Sequence, residues 1–411
     1  MAAISPETLR VLCLILSGKG ETVSWHEFSL PDWERLVTTA RIERMAPLLC
    51  HIFRRTGWPD GMPENMRAVL LRDFYNSAAQ GDLYFRELER VLSEFHRAEI
   101  AAVLLKGAAL ATTLYPDVAV RPMGDVDLLV RQADLSRAID VVEKLGYAPE
   151  NPSMRRGLEY LVFYEDNFRG GEHLPVPLEL HWDLMGGANS RYRPPLDWFW
   201  AQTRTIRFGD SSALVFTPAA HLLHAAAHLA LKHGGDDTRL LWLYDLHLII
   251  VQSADLNWTE LVSKGREANW ALALHTVLDE VQRLFLTPVP AWVMDALAEK
   301  SDPEAGRLME RMAAPDLTRT SGAWNHLAFL SGTTRLRWLA AVIAPDPVYM
   351  QWRYQPKPTW LWPLYYFVRW FDMLQDGLST VGQRLTAGRR SLLQRPQIPE
   401  PLCSASRERE P

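Results

Sequence analysis

Two aspartates, Asp125 and Asp127, stand two residues apart in Met123-Gly-Asp-Val-Asp-Leu-Leu-Val130, a stretch that alternates as a β-strand does. A strand sends alternate side chains to the same face, so the two carboxylates project together while Val126 and Leu128 point the other way. Carboxylates pressed together in an apolar strand repel each other and are costly to desolvate. A divalent cation removes both penalties. Mg²⁺ takes oxygen ligands and is commonly held by one or two carboxylates plus the phosphates of a nucleotide, and Mn²⁺ is the alternative. Two such ions stabilise the attacking and leaving oxygens of an in-line phosphoryl displacement. The plainer reading is a strand edge whose aspartates face water; the turn at Gly124 and the Lys106-Gly107 pair favour a site.

A third carboxylate is expected from a neighbouring strand. Pro177-Leu-Glu-Leu-His-Trp-Asp183 places Glu179, His181 and Asp183 on one face, alternating with Leu178, Leu180 and Trp182. Glu179, near the middle, is the first choice, and Asp183 replaces it if the register differs. Glu165 and Asp166 fall past the end of the preceding strand candidate and read as turn residues. For phosphate, Lys106 offers a point charge and Arg121 a bidentate fork, each set against an ordinary surface cation.

Three histidines, His221, His224 and His228, share one face of a predicted helix. A zinc site there is the weaker reading, because the flanking residues are apolar and no cysteine is near. A helix packed beside the cleft is the stronger one, with His228 a candidate to touch nucleotide or acceptor. Asp245 lies in an otherwise apolar helix and needs a partner, Arg239 or a histidine.

Those residues need a frame. The first hundred residues read as helices: a short apolar run at Leu9–Leu16, a helix over Pro31–Ala46 and a long amphipathic one over Met66–Ala98. The pattern then changes to strands at Ile100–Leu105, Asp125–Val130, Tyr160–Tyr164 and Val176–Trp182. Between them lie helices at Ala108–Tyr115 and Ala133–Leu145, the second ending on Gly146. This is a compact unit of α and β elements. Thr217-Pro218 opens a second helical series, expected near 218–233, 238–252, 257–268, 270–287 and 292–299. The division expected is an N-terminal helical region at 1–98, a core at 99–216 and a helical domain at 217–300. An aromatic-rich helical region at 301–385 and a disordered tail at 386–411 complete it.

The segment Pro358–Leu374 holds seven aromatic residues, with Lys357 and Arg369 as the cations beside them. Packing into a core is the stronger reading, because Pro363 interrupts a long amphipathic face; lying in a membrane interface is the weaker. The 411 residues, 48% hydrophobic and 23% charged, suit two or three globular domains with large cores. A net charge of -5 gives no global pull toward nucleic acid, and no basic stripe interleaved with aromatics is visible. Three scattered cysteines, Cys13, Cys50 and Cys403, form no disulfide framework or zinc spacing. With neither a signal-peptide pattern at the N-terminus nor an apolar run of roughly 18 residues, a reducing cytoplasm is the expected compartment.

The ordered set Leu104-Leu-Lys-Gly-Ala-Ala-Leu, Tyr115, Arg121-Pro-Met-Gly-Asp-Val-Asp-Leu-Leu-Val130 and Leu178-Glu-Leu-His-Trp182 resembles the bacterial uncharacterised nucleotidyltransferase family. That family is a branch of the DNA polymerase β-like superfamily, and the resemblance runs from about residue 30 to 300. It implies an α+β fold: a polymerase-β-like core of mixed sheet with helical regions before and after. It also implies transfer of an NMP from an NTP, ATP included, to an acceptor hydroxyl with release of pyrophosphate. Asp125 and Asp127 then correspond to the paired metal ligands and Glu179 to the third carboxylate, with Lys106, Gly107 and Arg121 at the nucleotide. Many superfamily members carry Gly-Ser or Gly-Gly at the nucleotide turn, where this chain has Lys106-Gly107-Ala108 and a longer gap before the aspartates.

The acceptor expected is a small molecule, a peptide or a protein, in preference to nucleic acid. Two rivals make different structural demands. A non-catalytic scaffold retaining the fold predicts carboxylates that converge poorly, and a metal-dependent hydrolase predicts that the three histidines converge with Asp245.

Overall fold

The computed structural model describes residues 5–155, 158–170, 176–185, 192–233, 238–299, 306, 327, 330 and 332–386. The tail expected to be disordered lies almost wholly outside the described residues.

Helices α1 (Pro6–Leu16), α2 (Leu30–Ile42), α3 (Ala46–Thr56) and α4 (Glu64–Arg97) come first. The single helix expected over Pro31–Ala46 is two, because the chain turns after Ile42, with Arg44 at a φ of 57°. Ser29 and Asp32 form a reciprocal capping box at the start of α2, satisfying backbone donors that the helix cannot.

The sheet follows: β1 (Ala102–Leu104), β2 (Val126–Val130), β3 (Ala148–Pro149), β4 (Glu165–Arg169), β5 (Pro177–His181), β6 (Thr203–Phe208) and β7 (Ser211–Phe216). Their order is β3-β4-β5-β2-β1-β7-β6. The sheet is mixed: β2 runs parallel to β5 and β1 to β7, while β1–β2, β4–β5, β3–β4 and β6–β7 are antiparallel. Together with the helices it makes an α+β fold. Helix α5 (Lys106–Thr113) follows β1, and α6 (Leu135–Lys144) follows β2. The strand expected at Tyr160–Tyr164 is instead a helical turn, α7 (Glu159–Val162), and the strand begins at Glu165. That shift moves Glu165 from a turn into the sheet. A short helix, α8 (Leu196–Ala201), precedes β6. The β6–β7 hairpin was not among the expected strands.

Both faces of the central strands are covered, which is why β1 and β2 are buried along their whole length. Leu104, Val126, Leu128 and Val130 join Leu88, Val91, Leu92 and Phe95 of α4 in one core. Val103 and Leu129 join the other core, with Leu222, Leu223 and Ala226 of helix α9 (Pro218–His228). Helix α4 spans both cores: its Leu70 and Phe74 belong to the second, and its C-terminal half belongs to the first. By strand alternation Asp127 shares the face of Leu129, toward α9. The Asp127 carboxylate therefore points at a helical layer.

Helix α9 continues as a π-helical turn, Leu229–His233, and helices α10 (Leu240–Gln252), α11 (Trp258–Glu267), α12 (Ala271–Phe285) and α13 (Ala291–Ala298) follow. The helix Pro347–Arg353 packs beside the final helix, Trp362–Thr386, and Arg369 and Trp370 of that helix donate to carbonyls at the end of the helix Gly332–Ile343. Core packing holds for only one face of that last helix. Tyr365 is buried, Tyr366 donates to the Pro345 carbonyl and Arg369 to that of Val342. Leu364, Phe367, Phe371, Leu374 and Leu378, spaced three and four apart, are exposed. Pro363 sits at the helix start, where it interrupts nothing. No described helix is long and apolar enough to cross a membrane.

Candidate active site

Register builds the site. Across the parallel β2–β5 pair Asp127 lies opposite Glu179, and across the antiparallel β4–β5 pair Glu165 lies opposite His181. The sheet face toward α9 thus carries Asp127, Glu179, His181 and Glu165 on three adjacent strands. Leu128, Leu178 and Leu180 anchor the opposite face in the core. A one-residue slip of β5 would exchange the two faces.

Two lysines reach this face. Lys106, first residue of α5, places Nζ 2.6 Å from Asp127 Oδ1 and 3.3 Å from Glu179 Oε2. Its backbone has a φ of 41°, a strained value for a side chain with a Cβ, of the kind found where function fixes the geometry. Lys232, from the π-helical turn, bonds Glu165 and stands over the Tyr164 ring. His181 lies between the carboxylates: Nε2 is 3.0 Å from Asp127 Oδ1 and 3.5 Å from Glu179 Oε2, and Nδ1 is 3.3 Å from Glu165 Oε2.

Charges shift accordingly. Burial pulls Lys106 down, but Asp127, Glu165 and Glu179 outweigh it and hold the ammonium well above its usual value. Asp127 is driven the other way. Burial raises its carboxyl, and Lys106 with the His181 hydrogen bond overcomes this and holds it ionised. Asp125 is different. It precedes β2 by one residue, and burial, Asp127 and Glu179 push its carboxyl up to about 6.

Donor atoms of Asp127, Glu179 and His181 lie within 4.8 Å of one another, close enough to share one cation, and Asp125 stands outside that tight set. Asp127 Oδ2 is buried without a hydrogen-bond partner, and so is Glu165 Oε2. An ionised carboxylate oxygen in that condition is expensive, and a cation would satisfy it. The donor set fits a divalent metal.

The other expected residues fall elsewhere. Arg121 does not face the site as a free fork for phosphate. It is buried, with Nε 3.0 Å from Asp245 Oδ1 and Nη2 2.7 Å from Asp245 Oδ2, and Tyr115 donates to the same Oδ1 at 2.7 Å. Asp245 thus has a partner from another part of the chain, not Arg239 or a histidine. Gly107 has a packing reason to be glycine: a Cβ there would meet Arg121 Nη1 at 2.9 Å and Met123 Cγ at 3.2 Å. Asp183, the alternative third carboxylate, lies past the end of β5 and pairs with Arg193.

His221, His224 and His228 are buried along α9. The convergence on Asp245 that a hydrolase would need is replaced by Arg121 and Tyr115. Burial holds all three imidazoles neutral, His221 down to about 3, and Lys106 lowers His224 and His228 further. Neither ring nitrogen of His224 has a hydrogen-bond partner.

Glu165, His181 and Lys232 belong to the cluster although the sequence did not single them out for it. Glu165 was hidden by the misplaced strand. His181 was visible as a neighbour of Glu179 on one face. Lys232 carries no local signal, because its side chain arrives from a helical turn far along the chain.

No curated protein matches the chain. An antigenic nucleotidyltransferase-like protein from Paracoccidioides brasiliensis has a solved structure similar over 55% of this chain and 96% of its own, at 16% identity. Its TM-score of 0.34 is too low to bear on the details of the fold. A model of the uncharacterised nucleotidyltransferase family matches residues 29–286, which include every described strand, the carboxylate face and α9. Over well more than half its length, this chain belongs to the uncharacterised nucleotidyltransferase family.

Proposed function

We propose that the protein is a metal-dependent nucleotidyltransferase that moves an NMP from an NTP to a hydroxyl of an acceptor, releasing pyrophosphate, on a polymerase-β-like core. The observation that carries this reading is the in-register pair Asp127–Glu179, with Asp125 beside it, on a buried sheet face. Asp125, Asp127 and Glu179 would hold Mg²⁺ or Mn²⁺. The bound ion would neutralise charge on the reacting phosphate and on the attacking and leaving oxygens.

The chain's own groups do the rest. Asp127 stays ionised and ready as a ligand, while Asp125 or Glu179 can take the proton of the acceptor hydroxyl. Lys106 and Lys232 supply fixed positive charge beside the carboxylates, suited to the phosphates of the NTP. Tyr164, the neutral imidazoles of α9 and the covered sheet exclude water and strengthen each of these interactions. Arg121, with Asp245, holds the segment between α5 and β2 in place and does not touch phosphate. The acceptor class is a small molecule, peptide or protein.

A second reading, a non-catalytic binding protein that keeps the fold, draws on the same lysines: Lys106 already gives Asp127 and Glu179 a cation of the protein's own. One experiment separates them. Purified protein is incubated with each α-labelled NTP, Mg²⁺ or Mn²⁺ and an extract of metabolites and proteins, beside Asp125→Asn and Asp127→Asn. Label transfer with pyrophosphate release, lost in both variants, is the expected result. Failure of the wild type to bind any NTP in the presence of metal would leave only the second reading.

A further inference from the structure

His181 sits at the centre of the carboxylate face, yet a phosphoryl-transfer site built on carboxylates has no need of an imidazole there. Its side chain is 1% exposed, so it is not placed for solvent. Nε2 points between Asp127 Oδ1, 3.0 Å away, and Glu179 Oε2, 3.5 Å away. Nδ1 faces Glu165 Oε2 at 3.3 Å as an ion-pair contact, and neither of those two atoms has a hydrogen-bond partner. Glu165 is itself held by Lys232. A carboxylate behind the imidazole and two more at its far nitrogen, bridged here by Lys106 Nζ, form the arrangement in which a histidine serves as a metal ligand: the carboxylate fixes the ring and its tautomer, and the far nitrogen coordinates in place of its bond to Asp127.

We infer that His181 Nε2 is itself a ligand of the cation held by Asp127 and Glu179, with Glu165 as the positioning carboxylate, so that the site selects a first-row transition-metal ion over Mg²⁺. The inference rests on the metal-dependent reading above and sharpens it. Mg²⁺ demands oxygen ligands in near-ideal octahedral geometry and gains little from imidazole, whereas transition ions gain affinity from a nitrogen donor. Asp125, outside the tight donor set, then serves the reaction from the edge of the site. The three donors arise from two strands, β2 and β5, whose register fixes their spacing. A site supported in this way is held by the sheet and not by loops.

The test uses the full chain and measures binding, not turnover. Mn²⁺ and Mg²⁺ are titrated by calorimetry into wild type, His181→Asn and Glu165→Gln, and the Mn²⁺ complexes are examined by electron spin-echo modulation for imidazole nitrogen. Wild type is expected to bind Mn²⁺ at least about 10-fold tighter than Mg²⁺ and to show the nitrogen modulation. His181→Asn should lose the modulation and most of that preference. Glu165→Gln should keep the modulation and weaken Mn²⁺ by about 10–100-fold. Mn²⁺ bound to wild type without nitrogen modulation overturns this inference and leaves the carboxylate site intact. Modulation that persists in His181→Asn also overturns it. Absence of Mn²⁺ binding by wild type, with or without a non-hydrolysable NTP analogue, overturns both this inference and the metal-dependent reading. Because the wild-type spectrum decides the main point, the test survives a variant that fails to fold.

Discussion

Two buried ionic clusters lie a short stretch of chain apart, and they are built on opposite principles. At Arg121–Asp245 one guanidinium meets one carboxylate through two parallel hydrogen bonds, and Tyr115 takes up further capacity of the same carboxylate. The charges balance. On the sheet face four carboxylates, Asp125, Asp127, Glu165 and Glu179, stand against two lysines and an imidazole, and two buried carboxylate oxygens have no hydrogen-bond partner. The difference separates structure from function. A balanced pair ties α10 to the segment before β2. An excess of one sign is held in place only because the surrounding fold enforces it, and it is the excess that the proposed cation would neutralise.

The sharpest way to break the comparison is to make one kind of substitution in both clusters. Asp245→Asn should leave the Arg121 guanidinium buried with its charge uncompensated and cost about 3–5 kcal/mol in chemical denaturation. Arg121→Met paired with Asp245→Leu should recover much of that loss. If Asp245→Asn unfolds like wild type, the pair has no structural role.

Asp125→Asn should act in the other direction. The folded carboxyl titrates at about 6, above its ordinary value, so its contribution to stability is full at low pH and is lost as pH rises through about 6. Asparagine carries no such loss, so at pH 7 this variant should be more stable than wild type by about 1–3 kcal/mol while losing NMP transfer. A variant that is less stable at pH 7 and equally active would contradict both parts.

Gly107→Ala probes the border between the clusters. Its new Cβ would press on Arg121 Nη1 and Met123, and because Arg121 is locked on Asp245, overpacking should cost about 1–3 kcal/mol. Thermal melting would report it, and an unchanged midpoint would show that the guanidinium can yield.

The smallest effect concerns the α9 imidazoles. His224 is held neutral in the folded chain by burial and by Lys106, whereas the unfolded chain protonates it below its usual value. Stability conferred by the neutral ring is therefore present above pH 6.5 and is lost as pH falls. His224→Phe should reduce that slope by up to about 1.4 kcal/mol per pH unit, read from urea denaturation at pH 5 and 6. Equal slopes would place the acid sensitivity in other groups.

Local pattern carried some of this molecule and missed other parts for identifiable reasons. Alternation placed the carboxylate strands at Asp125–Val130 and Val176–Trp182, each within one residue of the observed Val126–Val130 and Pro177–His181, because Leu128 in one and Leu178 and Leu180 in the other fix the face opposite the carboxylates. Thr217-Pro218 marked the return to helices for an equally local reason, a cap and a preset φ. At Tyr160–Tyr164 an aromatic, apolar run read as strand, but Leu158 and Val162 pack on Trp338 and Val342 of a distant helix, so tertiary contacts made it a helical turn. The same contacts left Glu165 as the first residue of β4.

What the sequence determined by itself was the chemistry on offer: paired aspartates and a glutamate on strands, among apolar neighbours that must be buried, before a helical series. These follow from periods of 2 and 3.6 residues, which any short window reveals. Only the tertiary structure decided which charges meet. Pairing β2 with β5 set Asp127 beside Glu179, Asp245 of α10 engaged Arg121, and the π-helical turn brought Lys232 to Glu165. Such meetings join residues tens to more than a hundred positions apart, and they are fixed by packing and strand register, which no local window contains.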